Sequence, residues 1–349
     1  MGEEQINSVL IGRRYSAGLV TTACVLAAAL AWSASPLNDA PVSDAPVSSA
    51  PAAASPLGAN SGDSADTLAE IVVEGRGPRF VSPTRRDQIG RIWAPVMING
   101  RGPFRLVLDT GASHSGIIAS VATILGLPLD QSPPVVLRGV TGFATVPTVR
   151  AESLSIGDLI LNPAVLPIVP DAMGGAQGIL GTQGLMDKRI FIDFRHDQIT
   201  VTFSRDERPG WNFTRVPFRS LRGQLIIVDA NVGETRVKAI IDTGGQTTIA
   251  NLALRDALAR YRFQRKGKPD QIVGATKEIQ DGVVIPAPAI RFGAIQIRDS
   301  GVTFADMYIF THWKLTNEPA ILIGMDALGT LDTLIIDYRR HELLMRTLE

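Results

Sequence analysis

At 349 residues, 45% of them hydrophobic and 19% charged, the chain is long enough for two medium domains and has an ordinary globular balance. Lys plus Arg equals Asp plus Glu at 34 each, which removes the electrostatic reason to expect nucleic acid or an anionic membrane surface as a partner. A single cysteine, Cys24, excludes an intrachain disulfide, and His114, His196, His312 and His341 are too scattered for metal-ligand spacing, so neither a metal nor another cofactor is expected.

Residues 1–16 are polar and end in Arg13-Arg14-Tyr15-Ser16, and residues 17–32 are apolar or small without interruption. That length fits the core of a signal peptide or a short signal anchor, and Ser33-Ala34-Ser35 offers small residues for cleavage. Residues 1–35 are therefore predicted to be a signal peptide or signal anchor. The stretch 36–69, dominated by Ala, Pro, Ser and Asp, lacks the large apolar side chains needed to offset folding entropy and reads as a disordered linker. An export segment followed by a tether predicts a periplasmic or otherwise extracytoplasmic protein, held at the inner membrane where that segment stays uncleaved.

From residue 70 onward, short runs of Val, Ile, Leu and Thr alternate with Gly, Pro, Asn and Asp, which predicts a mainly β fold. The pattern occurs twice. In the first copy a strand at 92–98, the turn Asn99-Gly100 and a return strand at 104–108 lead into Asp109. In the second, a strand at 225–231, the turn Val232-Gly233-Glu234 and a return strand at 236–241 lead into Asp242. Helical spacing follows each aspartate, at 117–125 and 252–261. Further landmarks keep their order. Leu154-Ser155-Ile156-Gly157 matches Ile290-Arg291-Phe292-Gly293, Ile179-Leu180-Gly181 matches Leu322-Ile323-Gly324, and Phe191-Ile192-Asp193-Phe194 matches Ile335-Ile336-Asp337-Tyr338. A duplicated β lobe accounts for this, with an N-terminal lobe at 70–206 around Asp109 and a C-terminal lobe at 207–349 around Asp242. Pseudo-twofold association would bring the two aspartates together.

Two adjacent carboxylates cannot both ionise easily, so they share a proton. The ionised member can take a proton from water and the protonated member can donate one to a carbonyl oxygen, which is what peptide hydrolysis requires. Asp109 and Asp242 are the predicted catalytic pair. Gly111 and Gly244 let each loop approach a carboxylate where a Cβ would clash, and Thr110 and Thr243 can hydrogen-bond across the two loops. One Asp-Thr-Gly is a weak signal. Two, each after an aliphatic strand and each followed by an apolar-apolar-Gly element, form a specific one.

Leu108-Asp109-Thr110-Gly111-Ala112-Ser113 and Ile179-Leu180-Gly181 resemble retropepsin, the retroviral aspartic protease half, and the resemblance covers roughly residues 90–345. It implies a bilobal, pseudo-twofold aspartic protease β-barrel fold with short helices, an aspartic endopeptidase activity on a peptide or protein substrate, and a monomer, since both half-sites lie in one chain. The chain is similar to single-chain bacterial periplasmic proteases of this type. Leu137-Arg138-Gly139-Val140-Thr141-Gly142-Phe143 resembles the family's glycine-rich flap, which implies that Gly139, Val140, Thr141, Gly142 and Phe143 bind substrate. Its second-lobe counterpart, Ile272-Val273-Gly274-Ala275-Thr276, is less glycine-rich, so the first is expected to dominate. The second motif departs from the family at Gly245, where Ala or Ser is usual, and is expected to be looser or roomier there. Pepsin-like enzymes carry Ser where this chain has Ala112 and Gly245. That absence implies weakly acidic to near-neutral activity and, with the lack of disulfides, disfavours an acid pepsin-like protease. A non-catalytic peptide-binding protein on the same fold would be favoured by loss of either aspartate, and both are present.

Other residues have plainer expectations. Asp193 and Asp337 should be strand-end residues paired with Arg195 and Arg339. Ser113 and His114, adjacent on a turn, should not face each other. Trp211 and Trp313 should be core or lobe-interface aromatics. The sequence leaves open whether residues 70–90, with Arg76, Arg79, Arg85 and Arg86, cover the cleft.

Overall fold

The computed structural model describes residues 91–129, 132–206, 210, 212–221, 225–260 and 266–347, with three strand fragments before them, Ala23–Cys24, Ala28–Ala29 and Ser82–Pro83. The predicted signal segment and linker, the stretch 70–90 and Trp211 lie outside the described residues, apart from those fragments. No described helix is long and apolar enough to cross a membrane.

In the first half of the described chain, β1 (Trp93–Ile98) and β2 (Arg101–Leu108) form a hairpin across Asn99 and Gly100, both at positive φ, as an Asn-Gly turn requires. Then come α1 (Ala119–Leu125), the hairpin β3 (Val135–Gly139) and β4 (Phe143–Val146), β5 (Leu154–Ile156) and β6 (Gly178–Leu180). β7 (Lys188–Asp193) and β8 (Gln198–Phe203) close this half. The second half repeats the plan. β9 (Leu225–Val232) and β10 (Thr235–Ile241) form a hairpin across Gly233, followed by α2 (Leu252–Ala259), the hairpin β11 (Lys268–Val273) and β12 (Ile279–Pro286), and β13 (Ile290–Phe292). After α3 (Tyr308–His312) come β14 (Ala320–Ile323), α4 (Met325–Leu328), β15 (Leu331–Asp337) and β16 (Glu342–Thr347). The fold is mainly β and has the two-lobed aspartic protease architecture. α3 and α4, too short to show a helical period, are additions to the two helices predicted.

The lobes carry the same strand order. In the first, β5, β1, β2, β6 and the strand Gly116–Ile117 are neighbours in that order; in the second, β13, β9, β10, β14 and Ile249–Ala250. In each, the strand leading to the aspartate lies parallel to the strand leading to the later glycine, Leu106–Leu108 beside Gly178–Leu180 and Lys238–Ile241 beside Ala320–Ile323. β2 shows the logic in its burial. Its first three residues are exposed, Phe104 is buried and Arg105 exposed, and it is buried throughout over Leu106, Val107 and Leu108 as it enters the lobe interface.

A third sheet ties the halves together, with Thr214–Pro217, β16, β15, β7 and β8 side by side. Its central pair shows the duplication directly. Phe191 is level with Ile335, while Arg189 pairs with Asp337 and Asp193 with Thr333, so the register is symmetric about the Phe191–Ile335 rung. Asp193 and Asp337 do end their strands, but their partners differ from those expected. Asp193 bonds His196 and the backbone N–H of Arg195 and His196, whereas Asp337 is fully buried and accepts from Arg189 and Ser204. The cross-strand register puts Arg189, rather than the sequence neighbour Arg339, against the Asp337 carboxylate. Arg339 bonds the Ser204 carbonyl, and Arg195 pairs with Asp332. Trp313 is buried among Met307, Ile309 and Phe310.

Because Asp337 is a buried, fully engaged carboxylate, Asp337→Ala strands a cation and a hydroxyl in the sheet. Urea unfolding should show a loss of about 3 kcal/mol, against less than about 1 kcal/mol for Asp193→Ala, whose side-chain partner His196 is exposed.

Candidate active site

Strand pairing delivers both aspartates to one place. The Asp109 N–H donates to the Leu180 carbonyl at 3.0 Å and the Asp242 N–H to the Ile323 carbonyl at 3.0 Å, each extending the parallel ladder by one residue. Both aspartates are buried, at 1% and 0% exposure. The loop glycines show how close the carboxylates lie. A Cβ on Gly111 would stand 3.0 Å from Asp242 Oδ1 and 3.1 Å from Asp109 Oδ1, and one on Gly244 would stand 2.2 Å from Asp109 Cγ. Each glycine thus packs against the other loop's carboxylate, in space that no side chain could share. Asp109 is thus close enough to Asp242 to act on its ionisation.

The two loops are locked by a reciprocal pair of threonines. The Thr110 N–H donates to Thr243 Oγ1 at 3.1 Å and the Thr243 N–H donates to Thr110 Oγ1 at 3.1 Å. Each hydroxyl then donates onward at 2.7 Å, from Thr110 to the Ile241 carbonyl and from Thr243 to the Leu108 carbonyl. All these groups are buried, so each is fully committed and the geometry has little freedom.

Local donors set the charge state. The Gly111 N–H donates to Asp109 Oδ1 at 2.8 Å, while Asp242 Oδ1 accepts from Gly244 at 2.9 Å and Gly245 at 3.1 Å. Burial nevertheless dominates at Asp242 and pushes its carboxyl up to about 6, against the opposing pull of those N–H groups, of Asp109 and of the positive charge on Arg91. Tyr338 is also buried, and burial together with the Asp109 charge raises its phenol well above the usual range.

Around this centre each later glycine closes its loop. Gly181 packs against His114 and Gly324 against Thr247, where a Cβ would come within 2.5 Å and 2.7 Å of backbone carbons. In the first lobe, Thr182 donates its hydroxyl to the Ala112 carbonyl. In the second, Thr248 donates to Asp326, whose carboxyl is raised by burial. These partners, with Arg91 and Tyr338, were missed from sequence. Thr182 and Asp326 stand one and two residues after the repeated glycine, which was the available signal.

Two expectations need correcting. Ser113 Oγ lies 3.0 Å from His114 Nδ1, because the turn folds both side chains to one side. Gly245 does not leave room, since a Cβ there would come within 2.9 Å of Asp242 Oδ2.

The β3–β4 hairpin places Gly139, Val140, Thr141, Gly142 and Phe143 at its tip, closed by a Gly139 N–H to Gly142 carbonyl bond. The tip is anchored in the other lobe. Val140 is fully buried among Ile272, Met307 and Ile309, its carbonyl accepts from the Ile309 N–H at 3.1 Å, and Thr141 Oγ1 donates to the Glu278 carbonyl at 2.9 Å. Phe143 remains 57% exposed, with its ring 5.6 Å from Tyr308. The β11–β12 hairpin forms as well and meets the first tip to tip. A Cβ on Gly274 would strike Thr141 Oγ1, and one on Gly142 would strike the Glu278 carboxylate.

A family model for aspartyl protease matches residues 94–183 and 228–327, more than half of the chain and one block per repeat, each with its Asp-Thr-Gly. The chain belongs to that family. No curated protein matches it significantly.

The crowding at Gly245 makes a counterintuitive prediction. Gly245→Ala, which restores the residue usual in the family, should displace Asp242 and lower kcat for peptide cleavage by about tenfold or more, with the fold intact by circular dichroism. An unchanged kcat would show that the loop yields.

Proposed function

We propose that this aspartyl protease family member is an endopeptidase that cuts extended peptide segments with Asp109, Asp242 and a water molecule activated between them. The carrying observation is the buried pair of carboxylates, each packed against the other loop's glycine and held by the reciprocal threonine bonds. The pair shares one proton: the ionised carboxylate takes a proton from the attacking water while the protonated one donates its own to the scissile carbonyl oxygen, giving a neutral gem-diol intermediate. A carboxyl then protonates the leaving nitrogen as the carbon–nitrogen bond breaks. Thr110, Gly111, Thr243 and Gly244 hold the loops, and the hairpin tip from Gly139 to Phe143 serves as the flap. The substrate backbone adds as a strand, with side-chain pockets reading alternate residues.

The wider setting belongs to the same proposal. Residues 1–35 export the chain, 36–69 tether it, and lobes at 70–206 and 207–349 form one monomeric, retropepsin-like protease of the bacterial periplasmic type. It processes an exported protein, at the inner membrane when the N-terminal segment is retained. The apolar run 17–32 before an Ala/Pro/Ser-rich stretch supports export. Two half-sites in one chain support the monomer.

The test is cleavage of a mixed peptide library by the full-length chain from pH 3 to 8, read by mass spectrometry. Internal cuts, blocked by pepstatin, are expected. As pH rises through about 6 the pair loses its shared proton and with it the acid that the reaction needs. kcat/KM should therefore fall on the alkaline side of that value, and fall again at low pH where a second proton quenches the base. An optimum in the pepsin range, or folded protein that cuts nothing, would overturn this reading.

A further inference from the structure

We propose that Arg91 is a positioning residue for the dyad, a buried guanidinium just ahead of β1 and level with Asp109 by the β1–β2 register, which holds the pair's single negative charge in place. This rests on the dyad reading above. Arg91 is fully buried, and it heads the largest such side chains among the described residues. A guanidinium does not shed its proton in a protein, so a buried one brings a permanent charge that must be matched.

The backbone fixes where that charge goes. β1 and β2 pair with Trp93 level with Val107, and the Leu108 N–H donates to the Ile92 carbonyl at 3.0 Å. One step further along the ladder sets Arg91 beside Asp109, on the same face, since directly opposed residues of an antiparallel pair point the same way. The second lobe breaks the symmetry here. Ile227 is level with Ile240, so the residue level with Asp242 is Leu225, which is buried and neutral. Two aspartates that share one proton carry one negative charge, and the two equivalent ladder positions supply one cation.

The other titratable groups nearby do not duplicate it. By that register Asp109 lies across from Arg91 just beyond β2, and Asp242 from the opposite loop feels the Arg91 charge. Tyr338, at the end of β15, senses Asp109 and stays neutral because burial and that charge both oppose its ionisation. His341 contacts Phe218, whose ring in turn meets Tyr338 edge-on. Lys188 is engaged with Asp187. A positive charge beside the pair favours its monoanion over the doubly protonated form, which places the dyad's working range at weakly acidic pH even though neither loop carries the hydroxyl that pepsin-like enzymes use.

The experiment is a carbon-13 NMR titration of the Asp109 and Asp242 carboxyls in the full-length chain, in wild type, Arg91→Met and Arg91→Lys. Removing the charge in Arg91→Met should raise the pair's midpoints by about one pH unit or more, and Arg91→Lys should recover most of that shift. Midpoints that stay put in Arg91→Met, or that move as far in Arg91→Lys, would overturn the proposal, since a packing role depends on shape and not on charge. Should Arg91→Met fail to fold, the double variant with Asp109→Asn decides. Restored folding means the defect was an unmatched negative charge, and continued failure means it was packing. A wild-type chain that cleaves no peptide counts against the endopeptidase reading alone, because the titration reads the carboxyls directly.

Discussion

Two carboxylates held in contact and out of water are an unfavourable arrangement, and the fold is organised around maintaining it. Burial opposes ionisation of each, and each opposes ionisation of the other. Left to relax, the loops would separate. The reciprocal threonine bonds prevent this, since the Thr110 and Thr243 hydroxyls each accept one N–H and donate to one carbonyl across the interface. Losing any one of them would leave a buried donor or acceptor unmatched on the other loop. The parallel ladders behind the aspartates, the glycines packed on the opposite carboxylates and the shared sheet of β7 and β15 all hold the loops against that grip.

Symmetry explains most of the architecture, and its breaking explains the chemistry. The register about Phe191 and Ile335, the matching strand orders and the paired glycines follow from duplication. Identical half-sites could not assign a proton. Here the halves differ at the positions that touch the carboxylates. Gly245 stands opposite Ala112 in the repeat, and Arg91 has Leu225 as its counterpart. The hairpin tips differ in the same spirit, with Val140 sunk in the second lobe and Phe143 left exposed.

The fold and the centre of the site were legible because they are written in local chemistry. Asn99-Gly100, Asp109-Thr110-Gly111 and Asp242-Thr243-Gly244 are turn and loop residues with a physical reason at each position, and repetition multiplies their weight. The hairpin tip at Gly139 to Phe143 was expected from its resemblance to the family's glycine-rich flap. Contacts set by register were not. Nothing in the neighbourhood of Asp337 names Arg189 as its partner, because that follows from how distant strands align, and the Asn99-Gly100 turn does not reveal the bulge between Val96 and Ile98 that shifts the β1–β2 register and sets Arg91 level with Asp109. Gly245 was misread as room because its neighbour, the Asp242 carboxylate, folds back onto it. Ser113 and His114 were misread because the turn's sense was unknown.

The central claim is that one chain holds one complete site made of two unlike halves. Peptide cleavage by Asp109→Asn, by Asp242→Asn and by an equimolar mixture of the two variants tests it most directly. Each variant alone, and the mixture, should show less than about a thousandth of wild-type kcat/KM, and wild-type rate should scale linearly with chain concentration. Activity in either variant alone would remove that aspartate from the chemistry. Activity restored only on mixing would mean that the working site forms between two chains.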